Sequence, residues 1–213
     1  MRIDVWSDVV CPWCYLGKTR LEQAIAQLDF ADEVEVRWRA FQLDPTATPE
    51  PKDLRSAIDR KYGPGAFDGM TKRLGDLGAE AGIEYRFDIA QRVTSLPALM
   101  LVAWVEDTYG LDTAHVLHDR LFRAYFTEGA NVADTANLVE YAVDAGADRD
   151  LAAEAIAADA GRDQVAADLQ AAADRQITAV PTFVIEDKAV IPGAQDVETM
   201  RLMINRVREK LSA

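Results

Sequence analysis

The sequence predicts an α/β protein in which one mixed sheet carries a large all-helical insertion. Three observations predict it. Strand, helix and strand signals occupy roughly the first 43 residues. A helical pattern then continues for over a hundred residues. Two strand signals and one helix signal close the chain.

Ile3 to Trp6 reads as a short strand ending near Asp8. A helix follows, with Pro12 in its first turn, where a missing N–H costs nothing. Leu16, Leu21, Ala24, Ile25 and Leu28 recur on one apolar face. "VEVRWRAFQL", Val34 to Leu43, alternates and reads as a second strand, so this βαβ unit implies a parallel pair. The loop "DPTATPEP", with Pro45, Pro49 and Pro51, marks a boundary. The expected division is a sheet domain of residues 1–48 and 176–213, with 49–175 as an inserted helical subdomain.

Inside the insertion, "DLRSAIDRKYG" and "FDGMTKRLGDLGAEAG" read as glycine-closed helices, and "IEYRFD" as a short extended piece. "SLPALMLVAWVEDTYG" starts at a Thr94 or Ser95 cap and stops at Gly110. The next helix is expected from a cap at Asp112 or Thr113 to Gly129, and three alanine-rich helices over about 134–145, 149–160 and 163–175. "VPTFVIED" and "KAVIPG" then read as two strands joined at Glu186–Asp187. A final helix is capped by Asp196, with Glu198 in its first turn.

Composition bounds the function. The chain has 213 residues, 49% of them apolar, and a net charge of −13. A surface this acidic repels phosphate backbones and anionic lipid, which argues against nucleic-acid and membrane partners. The start "MRIDVWSD" lacks a positive segment followed by an apolar run, so a cytoplasmic location is expected.

Both cysteines lie in "WSDVVCPWCYLGK". Three readings exist: a redox pair, half a zinc site completed by His115 and His118, or two inert thiols. The placement between a strand and a helix favours the first. A helix N-terminus stabilises an anion, so Cys11, at the cap and expected to be exposed, is the candidate nucleophile as thiolate. Cys14, one turn in and more covered, would resolve the mixed disulfide. Pro12 and Trp13 would shape access. Asp8 could assist proton transfer or simply end the strand. No tightly bound cofactor or metal is implied.

"TAVPTFVI" is the second feature. A proline opening a buried-looking strand removes a ladder donor. It is either an edge-strand proline or a cis Val180–Pro181 bond, which would leave the Val180 backbone free to pair with an extended substrate.

Together, "SDVVCPWCYLG", "FQLDP", "LFRAYFTEG" and "VPTFVI…IPGAQ" resemble the thioredoxin superfamily, specifically its DsbA-like branch of FrnE type. The resemblance spans nearly the whole chain. It implies a thioredoxin-like fold, a thiol–disulfide oxidoreductase, Cys11 attacking, Cys14 resolving and Pro181 cis. It further implies a protein disulfide or a small thiol or disulfide as substrate. The sequence is also similar to 2-hydroxychromene-2-carboxylate isomerase and kappa-class glutathione transferases. That likeness implies glutathione contacts at Val180, Gln195 and Asp196, a low-molecular-weight thiol as reductant or co-substrate, and an isomerase or transferase as the alternative activity. A peptide- or ligand-binding module without catalysis is the third reading. This sequence carries Trp13 where DsbA-like enzymes often have histidine, and Val5 where thioredoxins bury an acid.

Overall fold

The computed structural model describes residues 1–212. The chain divides into a sheet unit, Met1–Leu43 with Ala167–Ala213, and a helical unit, Asp44–Ala166.

The sheet unit begins with β1 (Arg2–Ser7), α1 (Pro12–Ile25) and β2 (Glu35–Ala40). Near the other end come β5 (Thr182–Ile185), β6 (Ala189–Pro192) and α9 (Val197–Ser212). The four strands form one mixed sheet in the order β2-β1-β5-β6. β1 runs parallel to β2, with Val5 opposite Trp38. It runs antiparallel to β5, with Val5 opposite Phe183. As an inner strand, β1 is covered on both faces, which explains its near-continuous burial. Ile3, Val5 and Phe183 form one core with Leu21 and Ala24 of α1 and Met200, Ile204 and Val207 of α9. Trp6 and Val184 face the other way, against Ala172. The Asp196 carboxylate accepts the Thr199 backbone N–H at 2.9 Å, capping α9 as its sequence position predicts.

The helical unit holds β3 (Lys52–Asp53), α2 (Leu54–Tyr62), α3 (Ala66–Ala81), β4 (Gln91–Arg92), α4 (Leu96–Tyr109), α5 (Leu111–Phe126), α6 (Thr135–Asp144) and α7 (Arg149–Ala157). α8 (Arg162–Asp174) begins in it, and its residues from Ala167 onward belong to the sheet unit. Asp53, Asp134 and Asp148 cap α2, α6 and α7 with their carboxylates. "IEYRFD", read as a short extended piece, forms no sheet ladder; its Tyr85 and Phe87 rings stack at 5.0 Å and meet Phe126 edge-on. The expected bounds of the fifth helix are corrected here. α5 starts at Leu111, ahead of the Asp112 and Thr113 candidates, because Gly110 both ends α4 and begins α5. It ends at Phe126, short of Gly129.

Gly161 precedes α8 with φ +83°. A Cβ there would stand 2.2 Å from the Met100 carbonyl oxygen and 3.1 Å from the Trp104 backbone nitrogen. Neither backbone atom can rotate away. Gly161→Ala is expected to cost about 3 kcal/mol or more, combining left-handed strain with overpacking. Gly146→Ala, with φ +103° but no atom within 4 Å of the added carbon, should cost only the backbone share of about 1–2 kcal/mol. Urea denaturation of the two variants checks the ordering.

Candidate active site at the start of α1

Cys11 is the N-cap residue of α1, in extended conformation at φ −96° and ψ 114°. Its N–H donates to the Asp8 carbonyl at 3.0 Å, and its carbonyl accepts the Cys14 N–H at 3.0 Å. A short loop thus delivers it from β1 to the helix. Pro12 occupies the first turn, where its missing N–H is not needed. The Cys11 side chain makes no capping bond to the helix. Instead the thiol faces the Val180 carbonyl oxygen at 3.8 Å.

Cys14 lies one turn inside α1. Both cysteines are free thiols, and the Cys11 side chain is within hydrogen-bonding reach of Cys14. Burial pushes the Cys14 thiol well above the ordinary thiol range, and the neighbouring Cys11 pushes it further. The Asp8 backbone acts in the opposite direction, favouring the charged sulfur. The expectation that Cys11 is exposed is corrected: it keeps only 3% of its surface and Cys14 1%. The Val180 carbonyl stands in front of the thiol, and no local feature of the motif announces a residue that far along the chain.

Asp8 is fully buried. Its carboxylate accepts the Val10 N–H at 3.2 Å and the Leu43 N–H at 2.7 Å, anchoring the loop that carries Cys11 to the end of the second-strand segment. Trp13 is half-buried. The Val180–Pro181 peptide bond is cis. Pro181 is buried and leads directly into β5. Gln195 and Asp196 are not directed at either cysteine by their hydrogen bonds. The Gln195 amide donates to the Pro192 carbonyl at 2.6 Å, and Asp196 holds Thr199. That bonding holds the Asp196 carboxyl below its usual range.

Two residues beside this site escaped the sequence reading, Gly17 and Arg20 of α1. The one available signal was Gly17 itself, since a glycine inside a helix costs about 1 kcal/mol relative to alanine and suggests a close approach. Among the described residues, no group of three or more His, Cys, Asp or Glu is placed to hold a metal ion. His118 is buried against Phe122 in the helical unit. No helix among the described residues is long and apolar enough to cross a membrane.

A βαβ start, a closing hairpin and helix, and two free thiols at the start of the first helix are the marks of a thioredoxin-like fold. The chain belongs to the family described as the DSBA-like thioredoxin domain, whose model matches residues 2–205. A probable DsbA oxidoreductase from Streptomyces coelicolor is similar over 97% of this chain and 89% of its own, with 32% identity and a TM-score of 0.89. YwbO of Bacillus subtilis (strain 168), an uncharacterized protein, is 30% identical over 99% of this chain and 98% of its own. The cytosolic disulfide reductase DsbM from Pseudomonas aeruginosa shares the fold at 19% identity, with a TM-score of 0.72 over 98% of this chain and 99% of its own.

Proposed function

We propose that the protein is a dithiol–disulfide oxidoreductase of FrnE type, with Cys11 attacking and Cys14 resolving. One observation carries the reading: a cysteine at the N-cap of α1 faces a backbone carbonyl across 3.8 Å, while its partner thiol is sealed one turn deeper. The Cys11 thiolate attacks one sulfur of a substrate disulfide. A Cys11–substrate disulfide forms, and the other substrate sulfur leaves and takes a proton. Cys14 then gives up its proton and attacks the Cys11 sulfur, which forms the Cys11–Cys14 disulfide and frees the second substrate thiol. Two electrons pass to the substrate. A low-molecular-weight thiol, two equivalents per cycle, returns the pair to the dithiol. DsbM has been solved with GSH, which supports a reductant of that kind.

The supporting parts follow the same logic. Trp13 and Pro12 border the attacking sulfur, and the Val180 backbone offers an extended peptide a wall. A reducing compartment such as the cytoplasm suits free thiols in this arrangement. Insulin reduction provides the test. Wild type is expected to reduce insulin disulfides, and Cys11→Ser to lose at least about a thousandfold in rate, because the nucleophile is gone. Equal rates in the two proteins would end the reading.

A second reading, a glutathione-type isomerase or transferase, draws on the loop that brings Gln195 and the ionised Asp196 to the start of α9. It requires glutathione to bind in calorimetry with both cysteines replaced by serine. Absence of binding there, with disulfide exchange intact in wild type, removes it. A binding module without catalysis would keep its cellular role in the same double variant.

A further inference from the structure

α1 touches the wall opposite Cys11 at a second place. Gly17 sits three residues beyond Cys14, on the same side of the helix. A Cβ on it would lie 2.8 Å from Pro181 Cγ, 3.2 Å from Phe183 Cζ and 3.4 Å from Ala194 Cβ. Only a residue without a side chain lets α1 approach the Pro181 ring this closely. Three residues further on, Arg20 Nη1 donates to the Ala194 carbonyl at 3.0 Å. The neighbouring Gly193 N–H donates to the Pro181 carbonyl at 2.8 Å. The contacts close a ring: from α1 to Ala194, to Gly193, to Pro181, to Val180, and across 3.8 Å back to Cys11 on α1.

We propose that Gly17 and Arg20 are positioning residues that set the gap between the Cys11 sulfur and the Val180 carbonyl, and so favour extended peptide disulfides over small ones. The inference rests on the dithiol reading above. A peptide disulfide must align along the Val180 backbone and present its sulfur to Cys11 in one step. A small disulfide needs only the sulfur. Widening or tilting the gap therefore penalises the peptide selectively, because a misplaced near-attack geometry is costly even when both groups remain present.

The experiment compares insulin and bis(hydroxyethyl) disulfide as substrates, with Cys11 alkylation by iodoacetamide and thermal melting as controls. Gly17→Ala adds helix propensity, so a residue with a merely structural role would leave the substrate preference alone. The expected result is a loss of about tenfold in kcat/KM for insulin, with the small disulfide and the alkylation rate within about twofold of wild type. Arg20→Ala should show the same selectivity at about threefold, and Arg20→Lys, which can still donate to Ala194, should restore it. Equal losses on both substrates, or no loss on either, would overturn the proposal. If Gly17→Ala does not fold, the Arg20 variants decide by the same criterion. A wild type inert toward both disulfides removes the dithiol reading, and the inference with it.

Discussion

Cys14→Ser protein mixed with a disulfide substrate accumulates a stable mixed disulfide on Cys11 and turns over at less than about one-thousandth of the wild-type rate. The expectation follows from the division between the two thiols. Cys11 caps the helix with its side chain uncommitted to it, whereas Cys14 is 1% exposed and its thiol is pushed up by burial and by Cys11. Around neutral pH Cys14 is therefore protonated and waits for the mixed disulfide to form. The Asp8 backbone beside the sulfur favours the charge when the proton leaves. Serine has no comparable nucleophile, so the adduct persists and mass spectrometry of the quenched mixture detects it. Full turnover in Cys14→Ser would reject the assignment of Cys14 as resolving thiol.

The raised Cys14 value also fixes the sign of two pH effects. Decay of the wild-type adduct needs the Cys14 thiolate, and burial still holds that thiol up once the Cys11 sulfur is in the mixed disulfide, so its rate should climb about tenfold per pH unit from about pH 6 to about pH 8.5. Stability moves the other way. The folded state favours the neutral thiol more than the unfolded chain does. That contribution is complete below about pH 8.5 and is lost as pH rises further, by up to about 1.4 kcal/mol per unit while only the unfolded chain ionises at this site. Urea titrations of reduced wild type and Cys14→Ser across that range should diverge above about pH 8.5. Parallel curves would mean that Cys14 is not shielded in solution.

What the sequence disclosed was what local chemistry encodes. Alternation in Val34–Leu43, the apolar stripe of α1 and the Asp196 cap are all signals within a few residues, and each has its counterpart in β2, α1 and α9. The location of the thiol pair at a strand-to-helix junction was equally local. Long-range approach was not legible. The burial of Cys11 depends on Val180, 169 positions away, and the closeness of α1 to Pro181 shows only as an odd glycine within a helical pattern. β3 and β4 are two residues each, too short for any alternation to register. The helix start at Leu111 defeated the polar-cap rule, because one glycine had to serve two helices at once.

The same distance effect hides the charge cluster beneath β1, where the second large destabilisation is expected. Asp4 is 3% exposed on the sheet face that Trp6 shares. Its carboxylate binds Arg39 Nε of β2 and Arg2 Nε, each at 2.8 Å. Arg39 also lies 3.5 Å from the Asp168 carboxylate, which accepts the Ala40 N–H at 3.0 Å. The Asp168 carbonyl in turn holds the Trp6 indole N–H at 3.0 Å. Two buried carboxylates thus tie α8 to β1 and β2 through one guanidinium. Asp4→Ala leaves Arg39, with only 21% of its side chain exposed, facing a hole with one partner lost. Breaking a buried pair from one side costs about 3–5 kcal/mol; the partial exposure of both arginines lets water recover some of it, so about 2–3 kcal/mol is expected. For a chain of this size that is a fall of about 4–12 °C in Tm. Arg39→Met alone should cost less than Asp4→Ala, since Arg2 still neutralises Asp4. The Asp4→Leu/Arg39→Met double variant should recover part of the loss, because the buried Asp4–Arg39 pair is removed from both sides while Arg2 and Asp168 each lose one partner. A double-mutant cycle in urea, closed with the Asp4→Leu and Arg39→Met single variants, reads the coupling directly. Strict additivity would show that Asp4 and Arg39 contribute independently and that the cluster fastens nothing.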